Sequence, residues 1–391
     1  MKLNWLSPST LGDGPVVSVA LDASRLDESG AHEVDLRWQA QQRSLLDVGA
    51  PESMVQAAGA AVLAPTGHGG SLGKLVVAGS EGVLLDLVLP HPPVRDEATY
   101  GPAPYLLPAV RSLSRAASYV LARVDRTGAD IEVVGMLGDA DEQQVDGDHD
   151  VLHKVPGGGW SQRRYQARVQ DSWERNAAEV AHELDTIVAR HKPELVLIAG
   201  DPQAVSALLE HAGGDLRSRI VQLDTGGRAE GISAEAEQQA IKDAVFAHRT
   251  ADRRELLDRF SSALAREQEA VDGLDAVIEV LRRGQVDELL LHDDPSAAHT
   301  LWVGADPLLF GRTAEDARKA GAQDAREERV DAVLLGALLA TDAGITLLNP
   351  TDIELADGIG ALLRWSDRAT PHSHTASMPG HGEAPHQGHR G

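Results

Sequence analysis

The sequence of 391 residues contains no cysteine, few basic residues and no long apolar run. Without cysteine there is no disulfide scaffold, no thiolate-bound zinc or iron–sulfur cluster and no cysteine nucleophile. A chain without disulfides is typical of the cytosol, so we predict a cytoplasmic protein. The amino terminus lacks the apolar core of a signal peptide, and no later stretch approaches the roughly 18 apolar residues of a membrane span. We therefore expect no secretion and no membrane partner.

The basic residues are outnumbered by the acidic ones. Lysine and arginine total 36 against 60 acidic residues, which gives a formal net charge of −24. Because attraction to phosphate dominates non-specific affinity for nucleic acid, this charge disfavours broad binding to RNA and predicts no DNA partner. Any contact with RNA must be local. One short segment is positive: residues 153–175, HKVPGGGWSQRRYQARVQDSWER, hold five lysines or arginines and two acidic residues.

The length exceeds what one hydrophobic core fills, so several domains are expected. Apolar strands alternate with amphipathic helices, which predicts an α/β fold. We divide the chain into a mixed-sheet amino-terminal domain over 1–115, a middle domain over 116–265 and an α/β carboxy-terminal domain over 266–369. The tail, 370–391, is rich in histidine and lacks apolar periodicity, so we predict that it is disordered.

Several local patterns predict individual elements. The proline-rich stretch 91–105 is typical of a loop. The acidic run 139–150 places six carboxylates in twelve residues but lacks the glycine and glutamate of a calcium loop, so it predicts a solvated loop. A long amphipathic helix is expected over 161–191, and a helix over 314–328 is expected to begin after Thr313 as its N-cap.

The glycine-rich stretch PTGHGGSLG precedes a predicted strand. Its last five residues match G-x-S-x-G, but a nucleophile elbow needs a strand before Ser71 and a helix after it, and the predicted order is the reverse. The stretch also fails the phosphate-binding pattern, because His68 stands where the first glycine belongs and Leu75 follows Lys74. Neither a hydrolase nor a nucleotide site is expected here.

The positive segment is the candidate functional site. Its three consecutive glycines allow the backbone to approach another surface closely. Trp160 and Tyr165 offer faces for stacking, and the arginines that follow can pair with phosphates or stack on bases. The same residues fit a flexible loop that caps a helix, with Trp160 packed on its domain. The candidate RNA-binding residues are Gly157, Gly158, Gly159, Trp160, Ser161, Gln162, Arg163, Arg164 and Arg168.

Three stretches resemble the bacterial branch of the archaeal and eukaryotic release-factor and Pelota superfamily, and within it the Balon-like ribosome hibernation factors of actinobacteria. Residues 118–135, SYVLARVDRTGADIEVVG, are similar to the opening hairpin of the family's middle domain. Residues 153–188 occupy the place of its Gly-Gly-Gln loop and the helix that follows. Residues 273–294, GLDAVIEVLRRGQVDELLLHDD, with the late GIGALLRW, are similar to its carboxy-terminal domain.

The resemblance implies a three-domain protein, with an RNase H-like middle domain, that enters the ribosomal A site. Its first domain would face the decoding centre, and its middle-domain loop would face the peptidyl transferase centre. Ribosomal RNA of both subunits is then the implied partner, joined by elongation factor Tu in the Balon-like members, and no cofactor or metal is implied. A decoding-centre contact would involve Gly67, His68, Gly69 and Gly70, although a plain exposed turn explains these glycines equally well.

The sequence departs from the family at the residue that release requires. Peptide release relies on a glutamine directly after Gly-Gly, whereas Gly159 and Trp160 stand there. We therefore expect a hibernation factor that occupies the A site of idle ribosomes without chemistry. The alternative is a peptidyl-tRNA hydrolase or rescue factor that acts through Gln162 or, one turn beyond, Gln166.

Overall fold

A computed structural model describes most of the chain. The described residues are 1–3, 5–6, 14–25, 30–66, 70–125, 127–137, 140–146, 160–224, 233–294 and 300–371, with backbone alone for 140–146 and 160–173. The chain divides into two compact units. The larger unit consists of Trp5–Leu256 and Glu328–Gly336, and the smaller consists of Met1–Asn4, Leu257–Glu327 and Ala337–Gly391. Among the described residues, no helix combines the length and the apolar character that crossing a bilayer requires.

The larger unit begins with a four-stranded sheet in the order β3-β2-β1-β4. Its strands are β1 (Val16–Asp22), β2 (Gly73–Gly79), β3 (Gly82–Leu89) and β4 (Glu97–Gly101). All three pairings are antiparallel, so the parallel pairs of this mixed α/β fold lie in other sheets. The helices α1 (Gly30–Asp47) and α2 (Glu52–Leu63) pack on this sheet, and α3 (Leu107–Leu113) follows it.

The prediction of a loop over 91–105 is wrong at β4. This strand pairs with β1 from Val16↔Gly101 to Ala20↔Glu97. Its residues are all half-buried, and they lack the apolar alternation by which strands are recognised in a sequence. Backbone hydrogen bonds to the buried strand β1 stabilise β4 at the sheet edge, although the side-chain pattern of β4 does not predict a strand.

A five-stranded sheet follows in the same unit, in the order β7-β6-β5-β8-β9. Its strands are β5 (Tyr119–Val124), β6 (Gly128–Val134), β7 (Ala140–Asp146), β8 (Leu195–Gly200) and β9 (Ile220–Gln222). The second strand, β6, is antiparallel to both β5 and β7, whereas β8 is parallel to both β5 and β9. This order with an antiparallel second strand is the RNase H-like arrangement that the resemblance implied.

Helices cover both faces of this sheet. One face is covered by α4 (Trp160–His191), α5 (Pro202–His211) and α6 (Gly214–Arg219), which bury a continuous apolar core with β5, β6 and β8. The other face packs against the first half of α7 (Ala234–Ala265). The near-continuous apolar strand LVLIAG is therefore buried on both sides, as a strand of a helix-covered sheet must be.

The predicted solvated loop over 139–150 is also wrong in its first half. Residues Ala140–Asp146 form β7, which pairs with β6 in register from Val134↔Ala140 to Gly128↔Asp146. Strand pairing uses backbone groups, so an acidic segment can add to a sheet edge where its side chains need no burial. The remainder of this run, 147–150, lies outside the described residues.

The smaller unit holds a second four-stranded sheet and a three-stranded one. The first has the order β10-β16-β11-β15, with β11 and β15 parallel and the other pairs antiparallel; the second has the order β13-β12-β14. The strands are β10 (Ala270–Asp272), β11 (Val286–His292), β12 (Thr300–Val303), β13 (Phe310–Gly311), β14 (Arg326–Arg329), β15 (Gly344–Leu348) and β16 (Ile359–Leu363). Its helices are α8 (Leu274–Arg282) and α9 (Ala314–Lys319). The helix α10 (Val330–Ala340) begins in the Glu328–Gly336 segment of the larger unit and ends in the smaller one.

The helix predicted over 314–328 is correct at its start and wrong at its end. Thr313 caps α9 as expected, since its Oγ1 accepts from the backbone N–H of Asp316 at 3.1 Å. The helix ends at Lys319 because Gly321 takes a φ of +113°, a left-handed conformation that terminates a helix. The chain then enters β14.

The predicted tail begins later than 370. Thr370 is buried, and its hydroxyl accepts from the Gln285 side chain at 3.0 Å and from the Asp367 N–H at 2.8 Å. The remaining tail residues, 372–391, lie outside the described residues.

Candidate nucleic-acid interface

The positive segment meets the fold at the start of α4. Gly157, Gly158 and Gly159 lie outside the described residues, and the other six candidates occupy the first three turns of α4. At 100° per residue, Trp160, Arg163, Arg164 and Arg168 fall within an arc of about 140° on this helix, whereas Gln162 falls outside it. The arginines therefore share a side of the helix with Trp160 and not with the glutamine of the catalytic alternative.

The second half of α4 anchors it to the sheet. Packing in the described part begins at Asn176, and the large apolar side chains that follow are buried. Each such side chain contributes roughly 1.5–3 kcal/mol before entropy is counted. The anchoring residues are Val180, Ala181, Leu184, Ile187 and Val188. The helix that carries the positive face thus has a rigid base, about 25 Å from its first turn at 1.5 Å per residue.

A cleft of about 330 Å³ lies between α4 and α5, beside the carboxyl end of β5. The described residues that line it include the carboxylates of Asp125, Glu174 and Glu210, the amides of Asn176 and Gln203, and no basic side chain. Clefts at the carboxyl ends of parallel strands commonly bind ligands. This one would repel phosphate, so the charge suited to RNA lies on the first turns of α4 and not in the cleft.

Two arginines fix α7 against the opposite face of the same sheet. Arg123 on β5 donates from its Nη2 to Glu237 at 2.8 Å, and this hydrogen bond is the main cause that raises the pKa of the Arg123 guanidinium. Farther along α7, Arg249 donates to the carbonyl of Ala116 at 2.8 Å and to the carboxylate of Glu194 at 2.6 Å. The position of α7 relative to the strands is therefore set at two points, at Glu237 near its start and at Arg249 near its middle.

The proposed decoding-centre loop is described only at its end. Gly67, His68 and Gly69 lie outside the described residues, while Gly70 forms an isolated bridge with Arg25. The carbonyl of Leu72 accepts from the backbone N–H of Ala23 at 2.9 Å, so this end of the loop is held. Ser71 stands between α2 and β2, which confirms the reversed order that argued against a nucleophile elbow.

No metal centre is found in the described part of the chain, where no group of three or more histidine, aspartate or glutamate side chains could hold an ion. His292, which ends β11 beside two aspartates, has its Nε2 within 3.0 Å of the Ile353 carbonyl. This histidine is explained by a structural contact.

Basic side chains that sequence reasoning missed lie near α7. Arg115, just after α3, and Lys242 on α7 are both exposed and both act electrostatically on His91. The predicted domains that contain them, 1–115 and 116–265, are each acidic overall, so a charge total for each domain hides them. Lys242 lies four residues before Phe246, which is one helical turn. A sequence search for a cation at that spacing from an apolar residue would have found Lys242 but not Arg115.

The fold and this helix define the class of protein: a multidomain α/β chain whose RNase H-like sheet carries a long helix with a positive first segment. Residues 118–266 match the model of bacterial archaeo-eukaryotic release factor family 2. An uncharacterized protein of Mycobacterium tuberculosis, Rv2629, is 26% identical over 367 residues, which cover 93% of this chain and 96% of that protein.

Two relatives carry the Pelota name. The protein pelota homolog of Halobacterium salinarum is 28% identical over 152 residues, or 36% of this chain and 42% of the homolog. A solved structure, the model of ribosome-bound archaeal Pelota, is 14% identical, covers 92% of both chains and has a TM-score of 0.39. These sequence matches support a bacterial archaeo-eukaryotic release factor-like, Pelota-like protein, as the resemblance implied.

Proposed function

We propose that this protein is a ribosome-binding translation factor and, more specifically, a hibernation factor that occupies the A site of idle ribosomes. The observation that carries the proposal is the start of α4: within a release factor-like segment of a chain of net charge −24, a glycine run leads directly into a helix with Trp160 and three arginines on one side. Such a helix is suited to phosphates and unstacked bases.

The mechanism proposed is occupation of the ribosome. The three predicted domains, 1–115, 116–265 and 266–369, would span the A site, with the loop around Gly70 toward the decoding centre and the start of α4 toward the peptidyl transferase centre. Binding there blocks tRNA entry and shields the RNA of both centres. Elongation factor Tu is a proposed partner on the resemblance to Balon-like members, and the cytoplasm is the proposed location.

Chemistry is not part of the leading proposal. Peptide release requires a glutamine directly after Gly-Gly, and Gly159 and Trp160 stand there instead. Gln162 lies outside the arc of α4 that carries the arginines. A near-attack geometry for water requires the reacting groups within about 3–3.5 Å of each other. The cleft beside α4 is lined by three carboxylates, Asp125, Glu174 and Glu210, whose negative charge disfavours an oxyanion there. A peptidyl-tRNA hydrolase that acts through Gln162 is the second candidate, supported by the family's Gly-Gly-Gln chemistry.

The test is a charge reversal at the start of α4. Arg163→Glu with Arg164→Glu should weaken cosedimentation with 70S ribosomes and lower the slope of log affinity against log salt by roughly one for each phosphate that the protein no longer neutralises. The matched control is Arg190→Glu with Arg318→Glu, which changes the net charge equally at two exposed arginines elsewhere. Wild-type affinity of the first variant at every salt concentration would refute the site.

The catalytic alternative has its own measurement. Purified protein added to ribosomes that carry peptidyl-tRNA should release no peptide above background under the leading proposal. Release that is abolished by Gln162→Ala, with ribosome binding intact, would replace the hibernation role with the hydrolase.

A further inference from the structure

A second basic surface is formed in the larger unit where the end of α3 meets α7. Arg115 and Lys242 are exposed there, and among the described residues neither side chain forms a hydrogen bond or an ion pair. Both act on His91: burial lowers the pKa of His91, and the positive charges of Arg115 and Lys242 lower it further. The backbone N–H of His91 donates to the Ser112 hydroxyl of α3 at 3.0 Å, and Arg249 of α7 donates to the Ala116 carbonyl at 2.8 Å. The three basic side chains therefore lie on elements that these contacts hold together.

An exposed aromatic ring adjoins these cations. Phe246 lies one helical turn after Lys242, and 74% of its surface is exposed, more than for any other large apolar side chain described. The inner side of α7 packs on the sheet through Ile241, Ala244 and Val245. Phe246 therefore points away from the core, and its exposure follows from its place on the outer side of a well-packed helix.

The helix repeat extends this arrangement along α7. Lys242, Phe246 and Arg249 are spaced i, i+4 and i+7, so they fall on one stripe of the helix. The charge of Arg249 is compensated by Glu194, and its guanidinium also donates to the Ala116 carbonyl, next to Arg115. This bond ties the two elements of the surface together, and the uncompensated charge left there belongs to Arg115 and Lys242.

We propose that this surface, made of His91, Arg115, Lys242 and Phe246, binds single-stranded RNA, with phosphates on the two free cations and a base stacked on the Phe246 ring. Charge complementarity favours an anionic partner in a chain that is otherwise strongly acidic. An exposed ring flanked by cations is the arrangement that binds unpaired bases and their backbone. A protein interface would need a continuous apolar centre, whereas exposed polar residues, Asp243 and Thr250, adjoin Phe246 on α7.

RNA binding by this surface does not depend on the start of α4. Only the identity of the RNA as ribosomal rests on the proposed function. The two surfaces lie on elements that cover opposite faces of the five-stranded sheet, so their variants are separable.

The first experiment measures binding of a fluorescently labelled oligouridine by anisotropy, with the full-length protein. Phe246→Ala should weaken binding by roughly 5- to 150-fold, the range expected when one base no longer stacks. Phe246→Trp should restore it, because the larger ring still stacks. Arg115→Glu with Lys242→Glu should weaken binding and lower the slope of log affinity against log salt by at least about 1.4, or 0.7 per phosphate of a single strand. Arg190→Glu with Arg318→Glu is the control of equal charge and should bind as the wild type does.

The outcomes separate this inference from the proposed function. Oligouridine binding that is unaffected by all surface variants overturns the inference. Ribosome cosedimentation that depends on Phe246 while oligouridine does not bind at all points to a protein partner and also overturns it. Oligouridine binding that depends on the surface, without cosedimentation with ribosomes by the wild type, supports the inference and defeats the proposed function. Unchanged melting temperatures of the variants show that loss of binding is not loss of folding.

Discussion

Phe260 and Phe246 lie on the same helix, and truncation of Phe260 should cost far more stability than truncation of Phe246. Phe260 is 0% exposed and is the one buried side chain that α7 has, whereas Phe246 is 74% exposed. The Phe260 ring lies against Gly360 of β16: a Cβ atom on that glycine would come within 2.8 Å of the ring. Leu355 closes the same space. The pocket is thus filled by this ring, and it leaves no room for another side chain.

The cost of Phe260→Ala has two parts. Removing the buried aromatic ring loses the roughly 1.5–3 kcal/mol of transfer free energy that its burial contributes. A cavity of up to roughly 100 Å³, at about 24 cal/mol per Å³, adds up to about 2.4 kcal/mol. We expect a loss of about 3–5 kcal/mol in the free energy of unfolding of the smaller unit, a large part of the roughly 5–15 kcal/mol typical of a domain. Phe246→Ala should change it by no more than about 0.5 kcal/mol.

Urea unfolding followed by circular dichroism and by hydrogen exchange of the smaller unit measures both variants. Hydrogen exchange is needed because the two units need not unfold in a single transition, and it reports on the smaller unit by itself. Equal stability of the two variants, or a loss below about 1 kcal/mol for Phe260→Ala, would refute the packing described around Gly360.

Two further predictions concern the larger unit. Burial, followed by the charge of Glu97, raises the pKa of Tyr105 to about 12. Between pH 10 and 12 the folded state therefore keeps a proton that the unfolded state releases, and stability should fall as the pH rises through this window. Absorbance at about 295 nm should show late ionisation of Tyr105 and of Tyr119, whose pKa burial also raises, and four ordinary tyrosine titrations would contradict this. Gly200→Ala would place a Cβ atom 2.2 Å from the Val124 carbonyl oxygen, where β5 and β8 pair in parallel. We expect a loss of about 1–3 kcal/mol in the free energy of unfolding, measured by urea titration. Wild-type stability of this variant would show that the two strands are not so close.

The elements predicted well are those whose signals are local. The helix expected over 161–191 is α4 (Trp160–His191), and Thr313 caps α9 as expected, because helical periodicity and a cap residue are visible in a few consecutive residues. The edge strands β4 and β7 were missed for the opposite reason. Their stability comes from backbone pairing with β1 and β6, and the side-chain patterns of β4 and β7 do not predict that pairing.

The candidate site shows the same division. The sequence by itself determined that positive charge is concentrated after a glycine run, because Arg163, Arg164 and Arg168 are neighbours along the chain and on the helix repeat. Only the tertiary structure brought Arg115 and Lys242 together around His91, from two predicted domains, 1–115 and 116–265, that are each acidic overall. Electrostatic interaction depends on the distance between charges in space. The packing of α7 on the sheet sets that distance, so a count of charges along the sequence cannot predict it.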